Sequence, residues 1–338
     1  MSAAESGRRW QPDILGEGFE QLTLDLPDGA VATLVRYTPP APEAPSGALR
    51  GHTPDVLYVH GWSDYFFQTE LARYWAGQGA RFFAVDLHNY GRSLRPGQEP
   101  GYVRDLSEYD EDLAAALDAM GQNAPDAGPL ILLGHSTGGL TLAVWAHRHP
   151  GRAAALILNS PWLEFQATEW ARRVISPLVS LQAQHHPRRP LPPIDPGIYT
   201  RTVSAAFGGE WHYNVQWRPV RGFPVTLAFL HAVFSAQAMV AAGLQLQLPV
   251  LVLLSDNSYL HPRWSEDAER SDVVLDVNTV AQRALSLGSS VTVGRIPHAM
   301  HDVFLSAPEV RRRAYEAMTR WGRGYLQPGP QRGPAPAP

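Results

Sequence analysis

Residues 130–139 constrain the fold of this chain more than any other stretch. An apolar run at 130–133 leads directly into Gly-His-Ser-Thr-Gly-Gly, and residues 140–149 are predicted to form a helix. A buried strand that turns into a helix through Gly-x-Ser-x-Gly holds its serine at the tip of a strained turn, where flanking side chains have no space. The stretch therefore predicts that Ser136 is a nucleophile, and that the chain supplies a histidine, an acid and a second oxyanion donor elsewhere.

The rest of the chain alternates between short apolar strands and helices. Strands are predicted at 21–25, 31–37, 56–59, 82–86, 155–159, 248–254 and 291–296, and helices at 68–78, 107–120 and 277–287. Most of these strands are apolar on both faces, which predicts an α/β fold with a mostly parallel sheet covered by helices on both faces. The last helix is expected to begin at Ser306 with a capping box to Glu309, and to end near Tyr325.

The alternation stops after residue 160 and resumes at 247. Residues 161–246 are helical in pattern, rich in Trp and Pro, and too long for a connecting loop. They predict a helical cap inserted after the sixth strand, between the two parts of the core at 1–160 and 247–326. Residues 327–338 are rich in Pro and Gly and are predicted to be a disordered tail.

The late part of the predicted cap is unusually apolar. Residues 222–255 contain no Asp, Glu or Arg. A transmembrane helix at 225–244 is one interpretation. His231, Ser235 and Gln237 interrupt the apolar run, however, and a sheet strand follows it, so a buried cap helix that lines an apolar substrate pocket is favoured.

Composition excludes several kinds of chemistry. The formal net charge is −4, so neither nucleic acid nor an anionic membrane surface is an expected partner. The chain has no cysteine, which excludes disulfides, thiolate metal sites and a cysteine nucleophile. All 28 basic residues are arginine, which excludes a lysine nucleophile. No group of His, Asp or Glu has convincing metal-ligand spacing, so neither a metal nor a cofactor is expected. Residues 1–10 lack an apolar signal segment, which predicts a cytoplasmic protein.

A serine hydroxyl needs a neighbouring base, and for this architecture the chain order is serine, acid, histidine. His298 and His301 both follow the last strand. His301 is favoured because it lies further from the strand, on the loop that leads to the final helix, whereas His298 is assigned to a pocket wall or the surface. For the acid, position favours Asp256 at the end of the 248–254 strand, and local pattern favours Asp272, just before a helix that Asp276 would cap.

The oxyanion that forms on an attacked carbonyl needs two backbone N–H donors. The residue directly after the nucleophile, Thr137, is expected to supply one. The second is expected from the loop after an earlier strand, where His60-Gly61-Trp62 follows residues 56–59. Gly61 lets the backbone approach the site, so the N–H of Trp62 is the predicted second donor.

Together these motifs resemble the α/β-hydrolase fold, and within it the monoglyceride-lipase-like or serine-aminopeptidase-like hydrolases. The resemblance covers residues 55–325 and rests on His60-Gly61-Trp62, Asp86 with Gly91-Arg92-Ser93, Gly134-His135-Ser136-Thr137-Gly138-Gly139, and His301-Asp302. Members of the family carry the acid in an Asp-x-hydrophobic-x-Asp pattern, which residues 272–276 match. The resemblance therefore implies Asp272 rather than Asp256, although this chain departs from the family by an insertion at 257–271.

The resemblance implies a cofactor-free serine hydrolase that cleaves a carboxylic ester, carboxylesterase or monoacylglycerol-lipase-like, through an acyl-enzyme intermediate with a Ser-His-Asp triad. The expected partner is a small-molecule ester with an apolar acyl chain, without stable membrane insertion. One alternative is amide or peptide hydrolysis of the proline-iminopeptidase type, for which Glu164, Glu169 and Glu210 are candidates to hold a free amine. Another is a ligand-binding protein that kept the fold and lost turnover. Oligomeric state has no signal in the sequence.

Overall fold

The computed structural model describes residues 9–40, 53–165, 169–191 and 197–326. Residues 1–8 lie outside the described residues, and they include most of the segment 1–10 that was examined for a signal peptide. The cytoplasmic location stays a prediction. The predicted disordered tail at 327–338 also lies outside them.

Nine strands in the described residues form one sheet, in the order β1-β2-β3-β5-β4-β6-β7-β8-β9. Their bounds are Gln11–Pro12 (β1), Phe19–Asp25 (β2), Val31–Tyr37 (β3), Asp55–Val59 (β4), Arg81–Asp86 (β5), Leu130–His135 (β6), Ala155–Asn159 (β7), Val250–Ser255 (β8) and Val291–Ile296 (β9). The strands β1 to β3 are antiparallel, and β5, β4, β6, β7, β8 and β9 run parallel to one another. The strands predicted at 21–25 and 31–37 and the mostly parallel sheet are therefore confirmed.

The helices lie on both faces of this sheet. Their bounds are Thr69–Gly77 (α1), Tyr109–Ala119 (α2), Thr137–Arg148 (α3), Glu169–His185 (α4), Ile198–Val203 (α5), Leu227–Ala242 (α6), Val277–Ala284 (α7) and Pro308–Tyr325 (α8). One apolar cluster joins the sheet to α2, α3, α6 and α7, and a second joins the opposite face to α1 and α8. Every residue of β4, β6, β7 and β8 is buried, as expected for parallel strands covered on both faces.

Residues 161–246, called the insert from here on, lie between β7 and β8 and contain α4, α5 and α6. The strand before the insert is the seventh of the sheet rather than the sixth, because the two-residue β1 is too short to leave a pattern in the sequence. The apolar residues at 225–244 include α6, most of whose side chains are buried. Along the described ranges, no helix has both the length and the apolar character needed to cross a bilayer.

The predicted capping box at the start of the last helix is wrong. Helix α8 begins at Pro308 after Ala307, which has no capping side chain. Ser306 Oγ instead accepts the N–H of Met300 at 2.9 Å, and this contact holds the loop before the helix. The hydroxyl is therefore engaged in a hydrogen bond within the preceding loop, which the capping-box pattern does not indicate.

Candidate active site

Ser136 lies between the last residue of β6 and the first residue of α3, with φ 51° and ψ −115°. Left-handed backbone of this kind is strained for a side-chain-bearing residue and marks the turn as held by its surroundings. The surroundings are close: a Cβ at Gly138 would lie 2.2 Å from the carbonyl oxygen of His60, and one at Gly134 would lie 2.7 Å from that of Gly138. The Ser136 N–H donates to Asn159 O at 3.0 Å. The two glycines are thus required by backbone packing around the serine.

The imidazole of His301 lies beside this serine. Its Nε2 is 3.2 Å from Ser136 Oγ, and its Nδ1 is 2.9 Å from Asp272 Oδ2. A carboxylate can only accept, so the network assigns the proton to Nδ1 and leaves Nε2 free to accept the serine hydroxyl. All three side chains are buried, and Ser136 retains 8% exposure. The arrangement can take a proton from the serine while the carboxylate stabilises the resulting imidazolium.

Asp272 reaches this place despite the insertion at 257–271. The N–H of Asp272 donates to Asn257 O at 2.9 Å, and the N–H of Tyr259 donates to Asp272 O at 2.7 Å, which forms a parallel bridge between Ser258 and Asp272. The insertion therefore leaves the end of β8 and returns to it. Asp272 Oδ1 also accepts the backbone N–H groups of Val274 and Leu275 at 2.8 and 2.7 Å, so the carboxylate is fixed.

The alternative acid and histidine lie together, away from the serine. Asp256 Oδ1 accepts the backbone N–H of His298 at 3.0 Å, and the His298 side chain is exposed. The structure therefore brings Asp272 and His301 to Ser136, whereas Asp256 stabilises the turn after β9.

The loop that carries His301 is anchored by its neighbour, Asp302. The buried carboxylate accepts Asn159 Nδ2 at 2.6 Å, Gln68 Nε2 at 2.9 Å and the N–H of Phe304 at 2.9 Å. Asn159 is the last residue of β7, so this carboxylate ties the histidine loop to the strand end beside the serine turn. Three donors on one buried carboxylate fix the loop strongly.

The loop after β4, residues 60–68, is called the β4 loop from here on. Gly61 packs directly against the serine turn, since a Cβ there would lie 3.1 Å from both Ser136 Cβ and His135 Cδ2. Among the backbone hydrogen bonds of the described turns and loops, none is donated by the N–H of Trp62 or Thr137. Both are backbone donors in segments adjacent to Ser136, which is the arrangement that an oxyanion site requires.

A buried ion-pair network supports the β4 loop from the core side. Asp86, at the end of β5, accepts the N–H of Phe66 at 3.0 Å and the Arg92 guanidinium at 2.8 Å. Arg92 also donates to Asp13 at 2.6 and 2.8 Å. Gly91, with φ 46°, is needed here because a Cβ would lie 2.5 Å from Asp86 Oδ2.

An aromatic group lies next to the predicted oxyanion donor. The rings of Trp62 and Phe229 have centroids 3.8 Å apart, and Tyr90 contacts Trp62 edge-on at 5.9 Å. Phe223 of the insert lies 6.2 Å from Tyr90. Two loops of the core and two segments of the insert therefore supply aromatic surface around Trp62 and Tyr90, which suits an apolar rather than a charged ligand.

Two buried histidines lie in the site without touching the serine hydroxyl. Burial lowers the pKa of His60, whose Nε2 accepts the N–H of Leu87 at 3.1 Å. Burial also lowers the pKa of His135, whose Nδ1 lies 3.1 Å from Asn159 O. Both imidazoles are neutral at neutral pH, because protonation would place a charge in an apolar surrounding.

One group of side chains has the geometry to hold a metal ion. Ligand atoms of Asp64, His135 and Asp302 all lie within 4.8 Å of one another. The group fits a metal poorly, since Arg218 Nε lies 3.1 Å from Asp64 Oδ1 and Asp302 already accepts three hydrogen bonds. A cation there would be repelled by the guanidinium and would compete with existing donors.

The carboxylates proposed to hold a substrate amine have other partners. Glu164 pairs with Arg283, and Glu210 accepts two hydrogen bonds from Arg311 at 2.8 and 2.9 Å. The Glu169 side chain lies outside the described residues. Paired carboxylates at separate places do not form a cluster that would bind a free amine.

Sequence reasoning missed the residues that hold the site in place. Asp13, Asp64, Asn159 and Arg218 were not singled out, and each acts on a partner far away in the chain. Asp302 was noted only as part of the His301-Asp302 motif. A single sequence carries no pattern for such long-range pairs.

A family model described as serine aminopeptidase, S33, matches residues 52–308. Among curated proteins, a monoacylglycerol lipase from Mycolicibacterium smegmatis is 31% identical over 107 residues, which are 31% of this chain and 37% of that protein. Phospholipase YtpA from Bacillus subtilis is 32% identical over 114 residues, which are 33% of this chain and 41% of that protein. The chain thus spans less than half the length of these curated relatives.

Solved structures have the same fold at low sequence identity. A monoacylglycerol lipase from Paleococcus ferrophilus superposes with a TM-score of 0.59 at 18% identity, over 81% of this chain and 96% of that one. A lipase in an open form superposes with a TM-score of 0.63 at 17% identity, over 91% of this chain and 99% of that one. The strand order, the serine turn and the family match agree: the chain belongs to the serine aminopeptidase S33 family and has the α/β-hydrolase fold.

Proposed function

We propose that the chain is a carboxylic ester hydrolase of the serine type, with Ser136 as nucleophile, His301 as base and Asp272 as acid. The observation that carries this proposal is the line from Asp272 Oδ2 through His301 to Ser136 Oγ, with distances of 2.9 and 3.2 Å. A nucleophile, a base and an orienting acid within hydrogen-bond reach are the general signature of covalent catalysis.

In the proposed mechanism, Ser136 Oγ attacks the ester carbonyl carbon and its proton passes to His301 Nε2. The N–H groups of Trp62 and Thr137 donate to the oxyanion of the tetrahedral intermediate. His301 then returns the proton to the leaving alcohol, and the acyl-enzyme remains. A water molecule then gives a proton to His301 and attacks the acyl carbonyl carbon. The bond from that carbon to Ser136 Oγ breaks, His301 returns the proton to Ser136 Oγ, and the carboxylic acid leaves.

The proposed substrate is an ester with an apolar acyl chain. The aromatic group around Trp62 and Phe229 and the absence of charged residues at 222–255 support it. The partial likeness to a monoacylglycerol lipase and a phospholipase points in the same direction. We further propose that the insert, residues 161–246, is the cap that shapes the substrate pocket, with the core formed by 1–160 and 247–326.

Amide hydrolysis is the weaker candidate. A free amine at the substrate end needs an unpaired carboxylate, whereas Glu164 and Glu210 are paired with arginines of the core. The two activities are distinguished by a chain-length series of chromogenic esters measured beside aminoacyl anilides. Faster turnover of the anilides would favour the peptidase over the esterase.

Labelling with a fluorophosphonate probe tests the nucleophile. The wild-type protein is expected to be labelled and Ser136→Ala is not. His301→Asn is expected to lose turnover, and His298→Asn, on the same loop but exposed and away from the serine, is the matched control with near-wild-type turnover. An unlabelled wild-type protein would contradict the proposal and favour a ligand-binding protein without turnover.

A further inference from the structure

Four consecutive residues of the β4 loop each contact the insert. The contacts are the Trp62 ring on Phe229 at 3.8 Å, the Ser63 Oγ accepting the N–H of Phe223 at 2.9 Å, the Asp64 carboxylate beside Arg218 at 3.1 Å, and the Tyr65 hydroxyl accepting the N–H of Asn214 at 2.8 Å. The same loop carries Gly61, which packs against Ser136. Residues of the insert therefore hold the segment in which the predicted oxyanion donor lies.

The ion pair of Asp64 with Arg218 is the most deeply buried of these contacts. Asp64 is 3% exposed and Arg218 is 4% exposed. The guanidinium also lies against the rings of Tyr213 and Tyr199, at 4.7 and 4.8 Å. Removing one charge of such a pair leaves the other buried without a counter-charge, so the two side chains hold each other in place.

The β4 loop is held from two sides. On the core side, Asp86 accepts the N–H of Phe66. On the side of the insert, the Arg218 guanidinium lies 3.1 Å from the carboxylate of Asp64 as its buried counter-charge, two residues after Trp62. Since Trp62 stands between Gly61 and Asp64 in the chain, we expect a shift of Asp64 to change the direction of the Trp62 N–H.

We propose that Arg218 is a positioning residue, which through Asp64 keeps the N–H of Trp62 directed at the oxyanion that forms on a carbonyl attacked by Ser136. The proposal rests on the proposed esterase function. Oxyanion donors act only near 2.7–3.1 Å, and a displacement of about 1 Å costs roughly 100-fold in rate. The insert would thus contribute to transition-state stabilisation without touching the reacting atoms.

Arg218→Met tests the proposal, since methionine fills similar space without the charge. We expect kcat for a chromogenic ester to fall about 10- to 100-fold while KM changes less than about threefold, because the lost interaction acts only in the transition state. A trifluoromethyl ketone that forms a tetrahedral adduct with Ser136 is expected to lose affinity by a similar factor. Arg218→Lys, which keeps the charge, is expected to restore part of both.

Ser63→Ala probes the same loop without leaving a buried charge unpaired. It removes the acceptor of the Phe223 N–H and is expected to lower kcat about three- to tenfold, again with KM nearly unchanged. Arg188→Met is the matched control: Arg188 belongs to the insert and pairs with Glu99 of the core at 2.6 Å, and its described contacts, with Glu99 and the Tyr102 ring, lie outside the β4 loop. Its kcat should equal that of the wild type.

The outcomes separate this inference from the proposed function. If the wild type hydrolyses esters and requires Ser136, but Arg218→Met and Ser63→Ala keep wild-type kcat, Arg218 is not a positioning residue. The same follows if KM alone rises, because Arg218 would then bind substrate directly. A fall in kcat without loss of affinity for the tetrahedral adduct would also overturn the proposal. A wild type without esterase activity would overturn both.

Discussion

Asp272 has both carboxylate oxygens engaged, one by His301 and the other by two backbone N–H groups. Replacing it with asparagine places an amide beside His301 Nδ1 and favours the wrong tautomer of the imidazole. We expect Asp272→Asn to lower kcat by about 10⁴-fold. The fall in kcat is measured by steady-state hydrolysis of a chromogenic ester.

Asp256→Asn is the control for that substitution. Asp256 is the other acid of the region and binds the backbone of His298 rather than His301. Its variant should keep wild-type kcat. The assignment of the acid would be wrong if the two variants had the opposite order of activity.

Gly61 has a role that depends on its missing side chain. A Cβ at this position would lie 3.1 Å from Ser136 Cβ, closer than an ordinary van der Waals contact, so Gly61→Ala must push the β4 loop away from the serine turn. We expect a fall in kcat of about 10- to 100-fold with a modest loss of stability, about 1–3 kcal/mol. Ester kinetics and a urea unfolding curve measure the two effects.

Gly77→Ala is the matched control, because a Cβ at the end of α1 would meet nothing within 4 Å. It should leave kcat unchanged and raise the free energy of unfolding by about 0.5–1 kcal/mol. Equal kcat in Gly61→Ala and the wild type would show that the β4 loop accommodates the added methyl group without moving away from Ser136.

At the residue scale, the sequence singled out Ser136 and His301, and the family resemblance favoured Asp272 over Asp256; the structure brings Ser136, His301 and Asp272 together. Each has a local signature: the flanking glycines, the place after the last strand, and the spacing to Asp276. Arg218 and Asp64 have none, because 153 residues lie between them and neither stands in a motif. The residues that position the β4 loop could therefore not be predicted from one sequence.

At the element scale, the loop between β9 and α8 depends on Asp302. Asp302→Ala would leave three buried donors, from Asn159, Gln68 and Phe304, without an acceptor. Since each unsatisfied buried donor costs about 1–3 kcal/mol, we expect a loss of at least about 3 kcal/mol in the free energy of unfolding. The turnover should fall as well, because His301 loses its support. Urea unfolding and ester kinetics on one preparation measure both.

Asp276→Ala is the comparison for Asp302→Ala, because it removes a helix cap that lies outside the loop between β9 and α8. Asp276 caps α7 by accepting the N–H groups of Asn278 and Thr279 at 2.9 Å. Its loss should cost about 1 kcal/mol and leave turnover unchanged. A variant of Asp302 that lost no more stability than this would contradict the role given to the loop anchor.

Elements with a strong hydrophobic pattern were predicted well, and those without one were not. The prediction of β4, β6, β7 and β8 succeeded because parallel strands buried on both faces are continuously apolar. The strand β1 has two residues and no period. The helix α5 has six residues within a Pro-rich region, so nothing in the local pattern set its bounds.

At the scale of the whole molecule, buried histidines make stability depend on pH. Burial lowers the pKa of His60 and His135 in the folded protein, so the unfolded chain binds more protons just below pH 6.5. The free energy of unfolding is therefore expected to fall as the pH decreases below about 6.5, by up to about 1.4 kcal/mol per pH unit for each group. Burial lowers the pKa of His88 but Asp112 raises it by more, so the net shift is upward and the stability that His88 contributes is lost as the pH rises above about 6.5.

Urea unfolding at several pH values between about 5.5 and 6.5 tests this dependence. His60→Gln keeps one donor and one acceptor but does not titrate, so its stability should change less steeply with pH than that of the wild type. Carboxylates contribute equally to both proteins and cancel in the difference. Parallel curves for the two proteins would show that His60 does not take up a proton on unfolding.

The contacts that brace the β4 loop join parts of the chain that are synthesised far apart. The hydrogen bonds from Phe223 to Ser63 and from Asn214 to Tyr65 span 160 and 149 residues. The first seven strands of the sheet therefore leave the ribosome before any residue of the insert that holds this loop. Closing such long loops is slow, so a refolding chain should regain its circular dichroism before its catalytic activity. A refolding chain is therefore expected to form most of its sheet before the proposed active site is complete.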